Sequence, residues 1–177
     1  MDLSQALINF VQSTVQPFWS LIFKIAACLG CWYVLSVIVR LAKANQYPGQ
    51  HQPVGGGELF LAFLFGAILL NYTSAMNHVS ASLGMGTISF SALDYPEAQS
   101  FGQLAPAINA VLTLASMAGG AFALKGFVLI ARACTGGGAY ASHDVGWKGA
   151  THVIAGAALA NVVQVIELLR HSTGGLW

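Results

Sequence analysis

Four stretches of this chain, at about residues 19–41, 58–76, 107–133 and 149–169, are apolar with hardly a charge inside them. An apolar helix of about 20 residues reaches across a hydrocarbon core of roughly 30 Å. These stretches therefore predict an all-α integral membrane protein whose four transmembrane helices form two hairpins. The first hairpin covers residues 19–76 and the second covers 107–170. Residues 77–106 connect them, and the whole chain reads as one membrane domain. Composition agrees: 56% of residues are hydrophobic and 7% charged, against roughly 25% charged in soluble domains. Seven Lys and Arg against six Asp and Glu leave a net charge of +1, which gives no global reason to bind nucleic acid.

Ahead of the first hairpin, Leu3, Ala6, Leu7, Phe10, Val11 and Val15 recur at three- and four-residue spacing. This predicts a short amphipathic helix over residues 2–16, with Asp2 or Ser4 as N-cap and Pro17 at its end. It carries no Lys or Arg, which suits packing on protein better than attraction to anionic lipid. Residues 1–5 lack a positive n-region, so this end does not read as a cleaved signal peptide.

Basic residues set the expected topology. Arg40 and Lys43 follow the first apolar stretch, and Arg132 and Lys148 flank the loop after the third, whereas the 77–103 connection carries Asp94 and Glu97 and no Lys or Arg. By the positive-inside rule both basic loops are expected to be cytoplasmic, giving N-out and C-out termini. Arg170 is the exception to the pattern. Trp19 and Trp177 are expected at the outer interface and Trp147 at the inner one. A weak internal repeat fits the two-hairpin plan. Residues 36–42 resemble 127–133, each run is followed by a triple glycine (Gly55–57, Gly136–138), and Asn71 follows Arg40 much as Asn161 follows Arg132.

Intramembrane polar residues are costly and invite functional readings. Lys24 and Glu167 sit at similar expected depth and could pair, within or between subunits; otherwise Lys24 snorkels and Glu167 pairs with Arg170. Lys125 lies deeper, where a lumen, a lipid phosphate or a subunit interface would have to meet it. Asn71, Asn161 and Gln164 read as hydrogen-bonding glue between helices. Cys28 and Cys31 read as small packing residues rather than a redox or metal pair, and with Cys134 the count is odd. The triple glycines lack the Lys-Ser/Thr of a nucleotide P-loop. His143, Asp144 and His152 have no accompanying nucleophile or metal-ligand spacing, so no catalytic residue, metal site or enzyme activity is assigned.

The run Lys148-Gly149-Ala150-Thr151-His152-Val153-Ile154-Ala155-Gly156, continuing through Asn161-Val162-Val163, resembles a segment of small membrane proteins of type IVB secretion systems. These are the IcmC/DotE and IcmD/DotP proteins, with TraQ- and TraR-like proteins of related conjugation systems. Gly57-Glu58-Leu59-Phe60 and the apolar run after it resemble the same family's second helix. The resemblance implies a structural subunit of a type IV secretion or conjugative transfer apparatus, including a pilin-like subunit of a conjugative pilus. It also implies partners: copies of itself, other apparatus subunits, membrane lipid, and nucleic acid or protein in transit without sequence-specific binding. In pilin-like relatives a phospholipid sits between subunits, so Arg40, Lys43, Lys125, Arg132 and Lys148 become candidate lipid or lumen contacts. Simple pilins have two apolar segments rather than four and lack the extra N-terminal helix. The competing expectation is a small transporter or channel with Lys24, Lys125 and Glu167 along its polar path.

Overall fold

Val11, Val15, Trp19, Ile22, Ala26 and Val37 are buried at helical spacing, and a single helix carries them all. This helix, α1, runs from Leu3 to Gln46 in a computed structural model that describes residues 3–46, 55–135 and 143–173. The expected stop at Pro17 does not occur. Proline removes an N–H and crowds the carbonyl four residues back, at a cost of about 3 kcal/mol. Val15 and Trp19, on either side of it, are 3% and 2% exposed, so one packed stripe crosses the proline and holds the helix through it. Residues 3–16 are thus the first turns of α1 rather than a separate element.

The remaining helices are α2 (Gly56–Leu70), α3 (Tyr72–Ser82), α4 (Ala105–Thr135), α5 (His143–Ala160) and α6 (Val162–Ser172). A 3₁₀ segment, Pro96–Leu104, leads into α4 across Gly102, whose φ of 58° is readily open only to glycine. The described residues contain no strand, and the fold is all-α. By length and composition, α1 and the run 96–134 are each able to cross a membrane. The α2–α3 and α5–α6 pairs raise the number from two to four if each pair is one span.

Those pairs correct the expectation of straight helices at 58–76 and 149–169. The first bends by 92° and the second by 85°, and the breaks fall at Asn71 and Asn161. Their backbones leave the helix in nearly the same conformation, φ −112°, ψ 44° and φ −113°, ψ 40°. Asparagine is a poor residue for a helix interior, although neither side chain here caps the helix that follows. With 15 and 18 residues, α2 and α5 rise only about 22 and 27 Å.

Both hairpins share a second device. In the first, Gly30 and Gly66 face each other: a Cβ on Gly30 would lie 2.8 Å from the Gly66 carbonyl oxygen, and one on Gly66 3.3 Å from that of Gly30. In the second, Gly119 and Gly156 do the same at 2.7 Å each way, and Gly126 faces Gly149 at 2.7 and 2.9 Å. Gly66 and Gly156 each precede the breaking asparagine by five residues. The weak sequence repeat is therefore matched by a repeated backbone plan: long helix, glycine-notched return, asparagine break, short helix.

The hairpins meet in a core that includes Ile22, Leu69, Tyr72, Met76, Phe127 and Val153. Trp19 belongs inside rather than at an interface; Gly120 makes room for its ring, and Phe90 meets it edge-on at 4.8 Å between centroids. Trp147 is exposed, and Trp177 lies outside the described residues. After α3 the connection is an ordered extended loop. Its N–H groups at Ile88, Leu93 and Tyr95 donate to the side chains of Asn77, Thr113 and Asn109 at 3.0, 3.0 and 3.1 Å.

Candidate functional site

Helices α1 and α4 run side by side in the same direction. Trp19 packs on Gly120, and further along Tyr33 Oη donates to the Val128 carbonyl at 3.4 Å. That register carries the two basic ends to the same level. Arg40 of α1 and Arg132 of α4 line one cavity of about 280 Å³, together with Leu29, Trp32, Tyr33, Ser36, Val37 and Val128. Arg40 also forms an ion pair with Glu58, near the start of α2. Glu58 is 16% exposed by its side chain, which makes this the better-shielded of the ion pairs. Arg132 is exposed and has no ion pair with any described acidic residue. Chemically, the cavity offers guanidinium donors at one end and an apolar lining at the other.

The other candidate residues lie apart from this cavity. Lys43 is exposed beyond Arg40 on α1, and Lys148 is exposed in α5 with Asp144 3.8 Å away. Lys24 and Lys125 both point outward from the fold, as do Gln164 and Glu167. Neither expected pairing of Glu167 is present: it makes no ion pair with Lys24, and Arg170 pairs with Glu97 instead. Glu97, in the 3₁₀ segment, thereby neutralises the basic residue that stood on the wrong side of the charge pattern. Cys28, Cys31 and Cys134 are free and exposed, so the first two are not packed against a neighbouring helix. Asp144 turns to Lys148, and His152 Nδ1 bonds the Lys148 carbonyl at 2.7 Å. No acid–base pair between Asp144 and His152 results. Gly136–138 lie outside the described residues, and at Gly55–57 a Cβ would meet nothing within 4 Å.

At the opposite end Asn161 is buried and holds the two hairpins together. Its Nδ2 donates to Ser80 Oγ at 3.1 Å and to the Met85 carbonyl at 2.6 Å. Beside it Ser116 Oγ donates to the Ala160 carbonyl at 2.7 Å. Asn71, its counterpart at the other break, is exposed. Sequence reasoning named Glu58 and Glu97 without their arginine partners and did not single out Tyr33; the available signal was that Glu58 is a lone acid opening an apolar stretch opposite Arg40. Among the described residues no group of three His, Cys, Asp or Glu converges as metal ligands.

Set against protein-family models, curated proteins and solved structures, the chain matches none.

Proposed function

We propose that this chain is a non-enzymatic structural subunit of a membrane-embedded transfer apparatus of the type IVB secretion or conjugation kind. It would pack against copies of itself and other subunits in a bacterial inner membrane, with both termini outside. A pilin-like role in a filament or channel for DNA or protein is the specific version. The carrying observation is the direction in which the costly side chains face. Lys24 and Lys125, within long apolar helices, and Glu167 all point away from the subunit's own core, toward whatever surrounds it. Charged groups in such segments ordinarily face a protein interior or a water-filled path, and neighbouring subunits supply both. The glycine-notched hairpins and the resemblance of residues 148–163 support the same reading.

Mass spectrometry of sheared surface filaments, with electron microscopy of the same material, tests the pilin version. Recovery of the chain in filaments is expected; recovery only in inner-membrane complexes would sink that version and keep the membrane subunit. A transporter draws support from the breaks at Asn71 and Asn161, since interrupted helices line binding sites in many transporters. It requires ion or solute flux through purified protein in liposomes that is lost in Lys125→Ala.

A further inference from the structure

Lys24 and Lys125 belong to different hairpins and stand at one level of the fold. Tyr72 fixes that level. Its ring centroid is 6.3 Å from that of Phe23 on α1 and 6.0 Å from that of Phe127 on α4, and its hydroxyl donates to the Gly120 carbonyl. Lys24 directly follows Phe23, and Lys125 falls between Gly120 and Phe127. The level is distant from both ends of the apolar layer. Lys125 stands seven residues before Arg132 and nine past Ser116, whose hydroxyl meets the Ala160 carbonyl beside the Asn161 break. At 1.5 Å per residue these intervals are about 10 and 13 Å. Both lysines are exposed on the outside of the fold, and neither forms an ion pair with any described acidic residue. Leu21 and Phe122, each three residues before its lysine, are 55% and 49% exposed, so the surroundings of both amines are apolar.

The chain's own acids are placed elsewhere. Glu58 and Asp144 pair with Arg40 and Lys148 at the basic end, and Glu97 pairs with Arg170 at the other. Asp94 accepts from Asn109 at that other end, Glu167 lies on α6 past the Asn161 break, and Asp2 precedes α1 in the chain. A second copy standing level with the first therefore brings no carboxylate to either lysine. Lipid headgroups lie at the membrane surfaces, outside the hydrocarbon. A charged side chain within hydrocarbon is costly unless it is paired. We infer that the membrane-facing surfaces bearing Lys24 and Lys125 dock acidic transmembrane helices of a different protein, whose Asp or Glu side chains meet the two lysines at mid-membrane. The apolar length of such a helix covers the exposed Leu21 and Phe122, which a water-filled path would leave wet. This rests on the proposed role as a membrane subunit and gives the chemistry of its partner.

The test reconstitutes the full chain in phosphatidylcholine vesicles with a synthetic helix of about 22 leucine and alanine residues, bearing one glutamate at its middle. A peptide with glutamine at the same position is the comparison. Energy transfer from the chain's tryptophans to a dansyl group on the peptide reads association. The glutamate peptide should associate about tenfold more tightly than the glutamine peptide. Lys24→Met and Lys125→Met should each reduce that preference, and the two together should abolish it. Methionine keeps much of the lysine stem's length and apolar character, and circular dichroism establishes that each variant is folded. Arg170→Gln, which removes a positive charge at the end of the fold, should leave the preference unchanged. Equal association of the two peptides, a preference that survives in the double variant, or an equal loss in Arg170→Gln would overturn the proposal. Self-association of the chain alone, read by crosslinking and lost in the double variant, would also overturn it, because a second copy would then supply the carboxylate. No filament or apparatus takes part, so failure here and failure of the pilin reading are told apart.

Discussion

Asn71 and Asn161 have the same backbone geometry and opposite surroundings, and the contrast defines what each residue contributes. Asn161 satisfies the buried Ser80 hydroxyl and the carbonyl of the buried Met85 from across the hairpin boundary. Replacing it by leucine leaves that carbonyl with no donor, which costs about 1–3 kcal/mol. Thermal unfolding in detergent should therefore show a clear loss for Asn161→Leu. Asn71→Leu, at an exposed position, should stay within about 0.5 kcal/mol of the parent. Equal effects would mean that the bend itself, rather than the amide contacts, is what the asparagines supply. The sequence marked both residues as hydrogen-bonding glue, but nothing in it distinguishes them. Burial depends on which hairpin face the chain presents to its neighbour, and that is decided by tertiary packing. The same holds for Lys24 and Trp19, five residues apart on α1: hydropathy reports that both sit in an apolar stretch, not that one faces out and the other in.

At the scale of elements, hydropathy located the helices and missed their direction. The stretch expected at 107–133 forms one helix over Ala105–Thr135; its asparagine, Asn109, lies near the start and spends its side chain on Tyr95 and Asp94 outside the helix, so the helix runs on unbroken. The stretches 58–76 and 149–169 are as apolar, yet each contains an asparagine that hydropathy averaging absorbs without trace. Glycine spacing was more informative than it first appears, since Gly30, Gly66, Gly119 and Gly156 mark where the helix axes approach. A Cβ at Gly119 or Gly156 meets a carbonyl oxygen at 2.7 Å, so the helices must separate. Gly156→Ala should lose about 1–3 kcal/mol of stability, the ordinary cost of overpacking, while Gly57→Ala, where a Cβ meets nothing within 4 Å, should not be destabilised. Pro17 offers the reverse test. Because α1 passes through it without a stop, Pro17→Ala restores a backbone donor in an intact helix and should slow amide exchange over residues 13–21. Faster exchange there would mean that the proline is needed for the path of α1.

For the whole molecule, the distribution of charge and thiols makes orientation measurable with the native cysteines. The basic end carries Arg40, Lys43, Arg132 and Lys148, and only two of these have acidic partners among the described residues, Glu58 and Asp144. At the other end Arg170 is neutralised by Glu97, so the charge difference between the ends is sharper than residue counts alone suggest. The proposed orientation, from the positive-inside rule, would put the basic end in the cytoplasm. Cys134 is exposed near the C-terminal end of α4, two residues past Arg132, and should be reachable from that side. Cys28 and Cys31 are exposed midway along α1, where surrounding hydrocarbon would keep a membrane-impermeant reagent away from them. A membrane-impermeant maleimide should therefore label Cys134 in inverted vesicles and not in intact spheroplasts. Cys28 and Cys31 should react only after the membrane is dissolved in detergent. Labelling of Cys134 in spheroplasts would reverse the orientation. Rapid labelling of Cys28 or Cys31 from either side would place that face of α1 in water, and so favour a solvated path along the outside of the subunit, where Lys24 also projects.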